Sequence, residues 1–156
     1  MKNFQQRSLE YDQKDRKLNA PSITEYMTPA KKLITFKPDT QIAEAIDSLL
    51  SNRITGAPVL NDKGEVVGLI DDKDCLNVLV SSAYYNHPVE KDTVSDYMSN
   101  VMKSISVNSN IVDVANTFVQ TPYKRLLVMD EDGKLVGQIS RRDILRAVKD
   151  FNTNTW

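Results

Sequence analysis

Apolar residues follow two alternating rhythms along this chain. Ile42, Ala45, Ile46, Leu49 and Leu50 keep the i, i+3, i+4, i+7, i+8 spacing of one buried helical face, and Ile111, Val114, Ala115, Phe118 and Val119 repeat it. Thr40 and Asn110 stand where a side-chain oxygen would cap each helix. Short β-type runs follow at 57–60 and 126–129, each ending in a turn where Gly64 or Gly133 supplies positive φ. Returning strands at 66–70 and 135–139 run into helices carrying Cys75, Leu76, Leu79, Val80 and Ala83, or Ile144, Leu145, Val148 and Phe151. With leading strands at 33–36 and 104–107, each half reads β-α-β-β-α, an α/β chain.

The two halves are copies. Ser22-Ile23-Thr24-Glu25-Tyr26-Met27-Thr28 is matched position by position by Thr93-Val94-Ser95-Asp96-Tyr97-Met98-Ser99. The register then shortens by two residues, after which Val59, Gly64, Val67, Gly68, Ile70, Asp74 and Leu76 recur as Val128, Gly133, Val136, Gly137, Ile139, Asp143 and Leu145. A three-stranded sheet with two helices cannot bury both of its faces alone, so the two repeats are expected to pack sheet to sheet with pseudo-twofold symmetry. The predicted boundaries are a polar N-terminal arm (1–21), repeat one (22–83), a linker (84–92), repeat two (93–152) and a tail (153–156). Tyr84 to Pro88 reads as loop.

Composition narrows the function classes. A net charge of -1, with acidic and basic residues interspersed, marks neither a nucleic-acid surface nor a basic membrane anchor. The polar start and the lack of any apolar run near ~18 residues point to a cytoplasmic protein without a membrane segment. Cys75 is the sole cysteine and His87 the sole histidine, so no cysteine-based or multi-histidine metal site and no Ser/His triad is expected within one chain. Cys75 reads as a buried thiol, and His87, before Pro88, as a surface residue. Asp71, Asp72 and Asp74 suit a first helical turn without any metal.

Taken in order, these features resemble the tandem CBS domain pair, or Bateman module. The matching residues are the Tyr-Met-Thr/Ser lead-ins, Arg53-Ile54-Thr55-Gly56-Ala57-Pro58-Val59 with its turn Asp62-Lys63-Gly64, and Gly137-Gln138-Ile139-Ser140-Arg141-Arg142-Asp143. The resemblance covers about residues 22–150. It implies a regulatory module that senses adenine nucleotides such as AMP, ADP or ATP in the cleft between the repeats, without catalysis and without a cofactor or metal. Asp143 would hold ribose hydroxyls, with Ser140, Arg142 and Ile139 around it and Met27, Thr28, Lys32, Ile54 and Thr55 facing the same ligand. A second ligand held by Asp74 and Ile70 would face Met102, Lys103, Tyr123, Lys124 and Arg125.

The first copy departs from the motif, with Asp71 in place of Ser or Thr, and the second lacks Gly-x-Pro, having Arg125-Leu126-Leu127 instead. Unequal sites are therefore expected, the Asp143 site preferring phosphorylated ligands. Ser140 and Asp143 also form a capping-box pattern that any helix start can use. An interaction scaffold with vestigial sites is the alternative. Apolar residues on more than one side of the last helix of each repeat, Val78 with Leu79 and Val80, and Ala147 with Val148, point to a homodimer.

Overall fold

The computed structural model describes residues 21–100 and 103–155; the first twenty residues of the predicted arm, Val101, the predicted site residue Met102, and Trp156 lie outside them. Among the described residues the chain forms two compact units, 21–31 with 104–155, and 32–100 with 103. Each unit therefore joins the lead-in of one repeat to the body of the other.

In the unit built on the second repeat, β1 (Thr28–Pro29) pairs with β6 (Leu135–Ser140), β6 with β5 (Arg125–Met129), and β5 in parallel with β4 (Ser104–Ser106), giving the order β1-β6-β5-β4. Helices α3 (Ile111–Gln120) and α4 (Arg141–Thr155) cover one face. Ile111, Val114, Phe118, Ile144 and Ala147 meet Leu126, Val128 and Ile139 there, and Ile23 from the lead-in is fully buried among them. Pro29 is tolerated because β1 is an edge strand.

The other unit has the same plan with thinner edges. β2 (Gly56–Leu60) and β3 (Val66–Asp71) form a hairpin, flanked by α1 (Ile42–Ser51) and α2 (Asp72–Tyr85). Ser99 bridges Leu69 on one side, and Phe36 bridges Val59 in parallel on the other. The leading strand predicted at 33–36 is thus reduced to Phe36. Pro38 stands where the second repeat has Val107, whose N–H extends the ladder to the Met129 carbonyl, and proline has no such donor.

The turns match the pattern: Gly64 and Gly133 have φ of 78° and 79°, and the Asn61 and Asp130 side chains each accept two backbone N–H groups. Asn110 caps α3 through the Asp113 N–H. Thr40 does not cap α1: its hydroxyl accepts from the Lys37 N–H, Gln41 is the N-cap, and the Ile42 N–H donates to the Asp92 carbonyl. The last residue of the linker thus does the work of a cap. Leu50 and Val119, the last residue of each predicted stripe, are exposed, because the 3.6-residue period has carried them past the edge of the packed face. Tyr84 and Tyr85 are helical rather than loop; α2 stops one residue later, at Asn86 in the left-handed conformation. Likewise α4 continues through Thr155, beyond the predicted start of the tail. No helix of the described residues is long and apolar enough to cross a membrane.

What fixes each lead-in is a glycine. A Cβ on Gly137 would lie 2.6 Å from the Thr28 carbonyl oxygen and 2.7 Å from Met27 Sδ; one on Gly68 would lie 2.7 Å from Met98 Sδ and 2.9 Å from the Ser99 carbonyl oxygen. Gly137→Ala is expected to cost about 1–3 kcal/mol in urea unfolding through overpacking against a backbone that cannot move away. Gly133→Ala meets no atom within 4 Å and should lose only the cost of a positive φ, about 1–2 kcal/mol.

Candidate functional site

Strand alternation sorts the predicted site residues. In β5 and β6, Leu126, Val128 and Ile139 point to the helices, so Arg125, Leu127, Gln138 and Ser140 lie on the opposite face. Arg125 is directly across from Ser140, and Thr28 of β1 is directly across from Gln138. Thr28, Arg125 and Ser140 are thereby brought to one sheet face, although the family resemblance had set Arg125 against the ligand of Asp74. Ile139, by contrast, is fully buried in the core, as is Ile70 in the other unit. Met27 packs against the same core as Ile139 and over Gly137, and Ile54 packs against the core of its own unit. Ile139 and Ile70 were expected to line a ligand and instead fill the two cores, while Met27 and Ile54 pack against those cores and stay half-buried.

The junction between β6 and α4 is closed by a reciprocal pair. The Ser140 N–H donates to Asp143 Oδ2 at 2.8 Å, and the Asp143 N–H to Ser140 Oγ at 3.2 Å. Arg146, one turn on, donates to Asp143 Oδ1 at 2.8 Å and to the Tyr26 carbonyl at 3.0 Å, tying the lead-in to the same carboxylate. The Asp143 side chain is 10% exposed. An ionised carboxylate offers about four acceptor positions, and these contacts use two.

Arg141 sets the other wall. Its Nε donates to the Tyr123 carbonyl at 2.9 Å, its Nη2 to the Thr121 carbonyl at 3.3 Å, and its backbone N–H to the Lys124 carbonyl at 3.2 Å. The 121–124 loop is so held against the start of α4. The side chains of Tyr123, Lys124 and Arg142 are exposed there, and Arg125 is half-buried. Sequence reasoning passed over Arg141, Arg146 and Gln138. The i, i+3 spacing of Asp143 and Arg146 was the available signal for one of them.

The corresponding junction in the 32–103 unit is acidic. The Asp74 N–H donates to Asp71 Oδ1 at 2.8 Å, and the Asp71 N–H to Asp74 Oδ2 at 3.1 Å, so two carboxylates share one capping box. Burial first, then the neighbouring charges of Asp71 and Asp72, hold the Asp74 carboxyl above its ordinary value of 3.8, against the lowering effect of the Asp71 N–H. Burial and the same carboxylates push the Cys75 thiol up to about 11, so it is no nucleophile at neutral pH. Gly56 stands opposite Asp71 where the other unit sets Arg125 opposite Ser140. Lys32, Thr55 and Lys103 are exposed. A hollow of about 540 Å³ between α1 and α2 takes in Ile54 and Thr55 but neither Asp71 nor Asp74.

His87 does more than occupy the surface: Nε2 lies 2.9 Å from Asp92 Oδ2, the oxygen to which the Tyr97 hydroxyl also donates. Among the described residues no group of three or more His, Cys, Asp or Glu side chains is arranged to hold a metal.

Comparison with known proteins gives a consistent picture. The CBS domain model matches residues 23–81 and 94–150. The CBS domain-containing protein CBSX1, chloroplastic, of Arabidopsis thaliana is 33% identical over 81% of this chain and 63% of its own length. CBSX2 of the same plant is 26% identical over 86% and 66%. The chain thus spans just under two thirds of the length of these relatives. The crystal structure of CBSX2 in complex with AMP superimposes with a TM-score of 0.73 at 29% identity, covering 84% of this chain and 98% of that one.

The shared box of Asp71 and Asp74 has a pH signature. Below pH 3.8 Asp74 is protonated in the folded and unfolded chain alike; as pH rises through its higher folded titration, ionising it costs stability. Asp71→Ser keeps a capping oxygen and removes one charge. In a carbon-detected NMR titration the variant's Asp74 should titrate closer to 3.8. Its stability relative to the unmodified protein should rise as pH climbs above 3.8, and a flat difference would count against the repulsion.

Proposed function

The chain belongs to the CBS domain family, and on that premise we propose that it is a regulatory module that binds an adenine nucleotide and carries out no catalysis. The observation that carries this reading is the sheet face where Arg125 stands opposite Ser140 at the start of α4, beside the nearly buried carboxylate of Asp143. A guanidinium and the N-terminal N–H groups of a helix favour phosphate. The unused lone pairs of Asp143 suit ribose hydroxyls. That CBSX2 crystallised with AMP supports the ligand class.

The 32–103 unit offers a poorer anion site. It has Gly56 for Arg125 and Asp71 for Ser140, and two like charges ~4 Å apart repel by roughly 4 kcal/mol at an effective dielectric near 20. A second reading, a scaffold with vestigial sites, is favoured by the capping box that already engages Ser140 and Asp143. Calorimetry separates the two. We expect one strong AMP site per chain, weakened about tenfold or more by Arg125→Gln, with adenosine binding little changed, because the lost interaction is charge-assisted. Absence of any nucleotide binding would leave the scaffold.

We also propose a homodimer. Leu76 and Leu79 on α2 are 65% and 71% exposed, and Leu145 on α4 is 66% exposed. Neighbouring apolar residues at helical spacing seldom face water together. Sedimentation at micromolar concentration should show a dimer, and Leu79→Asp with Leu145→Asp a folded monomer.

A further inference from the structure

A single nitrogen of Arg146 serves two acceptors. Nη2 donates to Asp143 Oδ1 at 2.8 Å and to the Tyr26 carbonyl at 3.0 Å, so one atom joins the carboxylate at the start of α4 to the lead-in. The lead-in meets the same helix again one turn on, where the Tyr26 hydroxyl donates to Asp150 Oδ2 at 2.9 Å. Arg146 is 56% exposed, and an exposed ion pair adds little to stability, so its effect lies in what it orients: an Asp143 side chain that is only 10% exposed. The other repeat is built differently. Asn77, exposed and with neither the reach nor the charge of an arginine, stands at the equivalent position, and Asp74 shares its capping box with Asp71. Tyr97, the counterpart of Tyr26, gives its hydroxyl to Asp92.

We infer that Arg146 is a positioning residue that couples ribose binding at Asp143 to the docking of the 22–28 lead-in. The inference rests on the nucleotide reading above and assigns the regulation of that site: occupancy is passed to this lead-in and not to its copy. A carboxylate that accepts from ribose hydroxyls must hold its free lone pairs in one direction. Arg146 holds Asp143 so while Tyr26 takes the second hydrogen bond and fixes the guanidinium. A docked lead-in therefore raises affinity for the ribose, and by linkage the bound ribose holds the lead-in docked by the same factor. With Asn77 in place of Arg146, the 93–99 lead-in has no equivalent route and takes no share in the coupling.

The test is amide hydrogen exchange and calorimetry on the full chain with AMP and its dideoxy analogue, which lacks both ribose hydroxyls. The Tyr26 and Met27 amides donate to the Ile23 carbonyl, and the Tyr97 and Met98 amides make the same turn on Val94, so the two lead-ins are matched controls. Saturating AMP should slow exchange at Tyr26 and Met27 about fivefold or more beyond its effect at Tyr97 and Met98, and the dideoxy analogue should slow all four alike. Arg146→Met should lose that excess and bind AMP more weakly by the same factor, with affinity for the dideoxy analogue little changed, and Arg146→Lys should recover part of both. Equal slowing of both lead-ins by AMP in the unmodified protein overturns the inference while leaving the nucleotide reading intact. So does a loss in Arg146→Met that falls equally on AMP and the analogue, where the arginine would be a structural brace only. A protein that binds neither ligand overturns both. The exchange comparison is made within the unmodified protein, so the result does not hang on either variant folding.

Discussion

A bare α-carbon at Gly137 lets the Thr28 carbonyl and the Met27 thioether lie where a methyl group would otherwise be, and Gly68 does the same for Met98 and Ser99. Much else follows from that closeness. Only with the lead-in pressed against β6 does Ile23 reach the core under α3 and α4, and only then can Arg146 span from the Asp143 carboxylate to the Tyr26 carbonyl. In the other unit the second lead-in buries Val94 and ties Tyr97 into the contact between Asp92 and His87, while Asp92, just before it, lends its carbonyl to the first N–H of α1. A helix whose N-cap side chain makes no capping bond is thus completed by a distant stretch of chain.

The same few atoms serve stability and recognition. Ser140 and Asp143 satisfy backbone donors at the start of α4, as such pairs do at many helix starts, yet the charge they leave around them differs sharply from that of their counterparts. Beside Asp143 stand the Arg146 guanidinium and the neutral Ser140 hydroxyl; beside Asp74 stands the carboxylate of Asp71. The local fold is equal and the electrostatics are opposite. Duplicated motifs can therefore diverge in what they attract without diverging in how they fold.

Helices, hairpins and the repeat itself were legible because each depends on short-range spacing: Ile111, Val114 and Phe118 had to share a face, and Gly64 and Gly133 had to turn. The inward positions of Ile139 and Ile70 follow from strand alternation, but the family motif drew both into the ligand set. Which repeat a lead-in would join was not legible, since Ser22 to Thr28 and its copy are nearly interchangeable and the choice lies in packing over a glycine far along the chain. Thr40 failed as a cap for a similar reason, because the donor at α1 found a carbonyl some fifty residues away in sequence. Arg146 was passed over because the sequence shows its spacing to Asp143 but not the Tyr26 carbonyl that the same nitrogen reaches.

The exchanged lead-ins also bear on how such a chain can have arisen. A single ancestral copy would have held an isoleucine or valine and a methionine on a segment unable to complete its own core, alongside a glycine groove awaiting someone else's strand. Two such molecules trading segments would have satisfied each other, but only at concentrations that favour encounter. Within one chain the trade is intramolecular, at an effective concentration of roughly millimolar whatever the abundance of the protein. Each lead-in therefore finds its glycine groove without waiting for a second molecule.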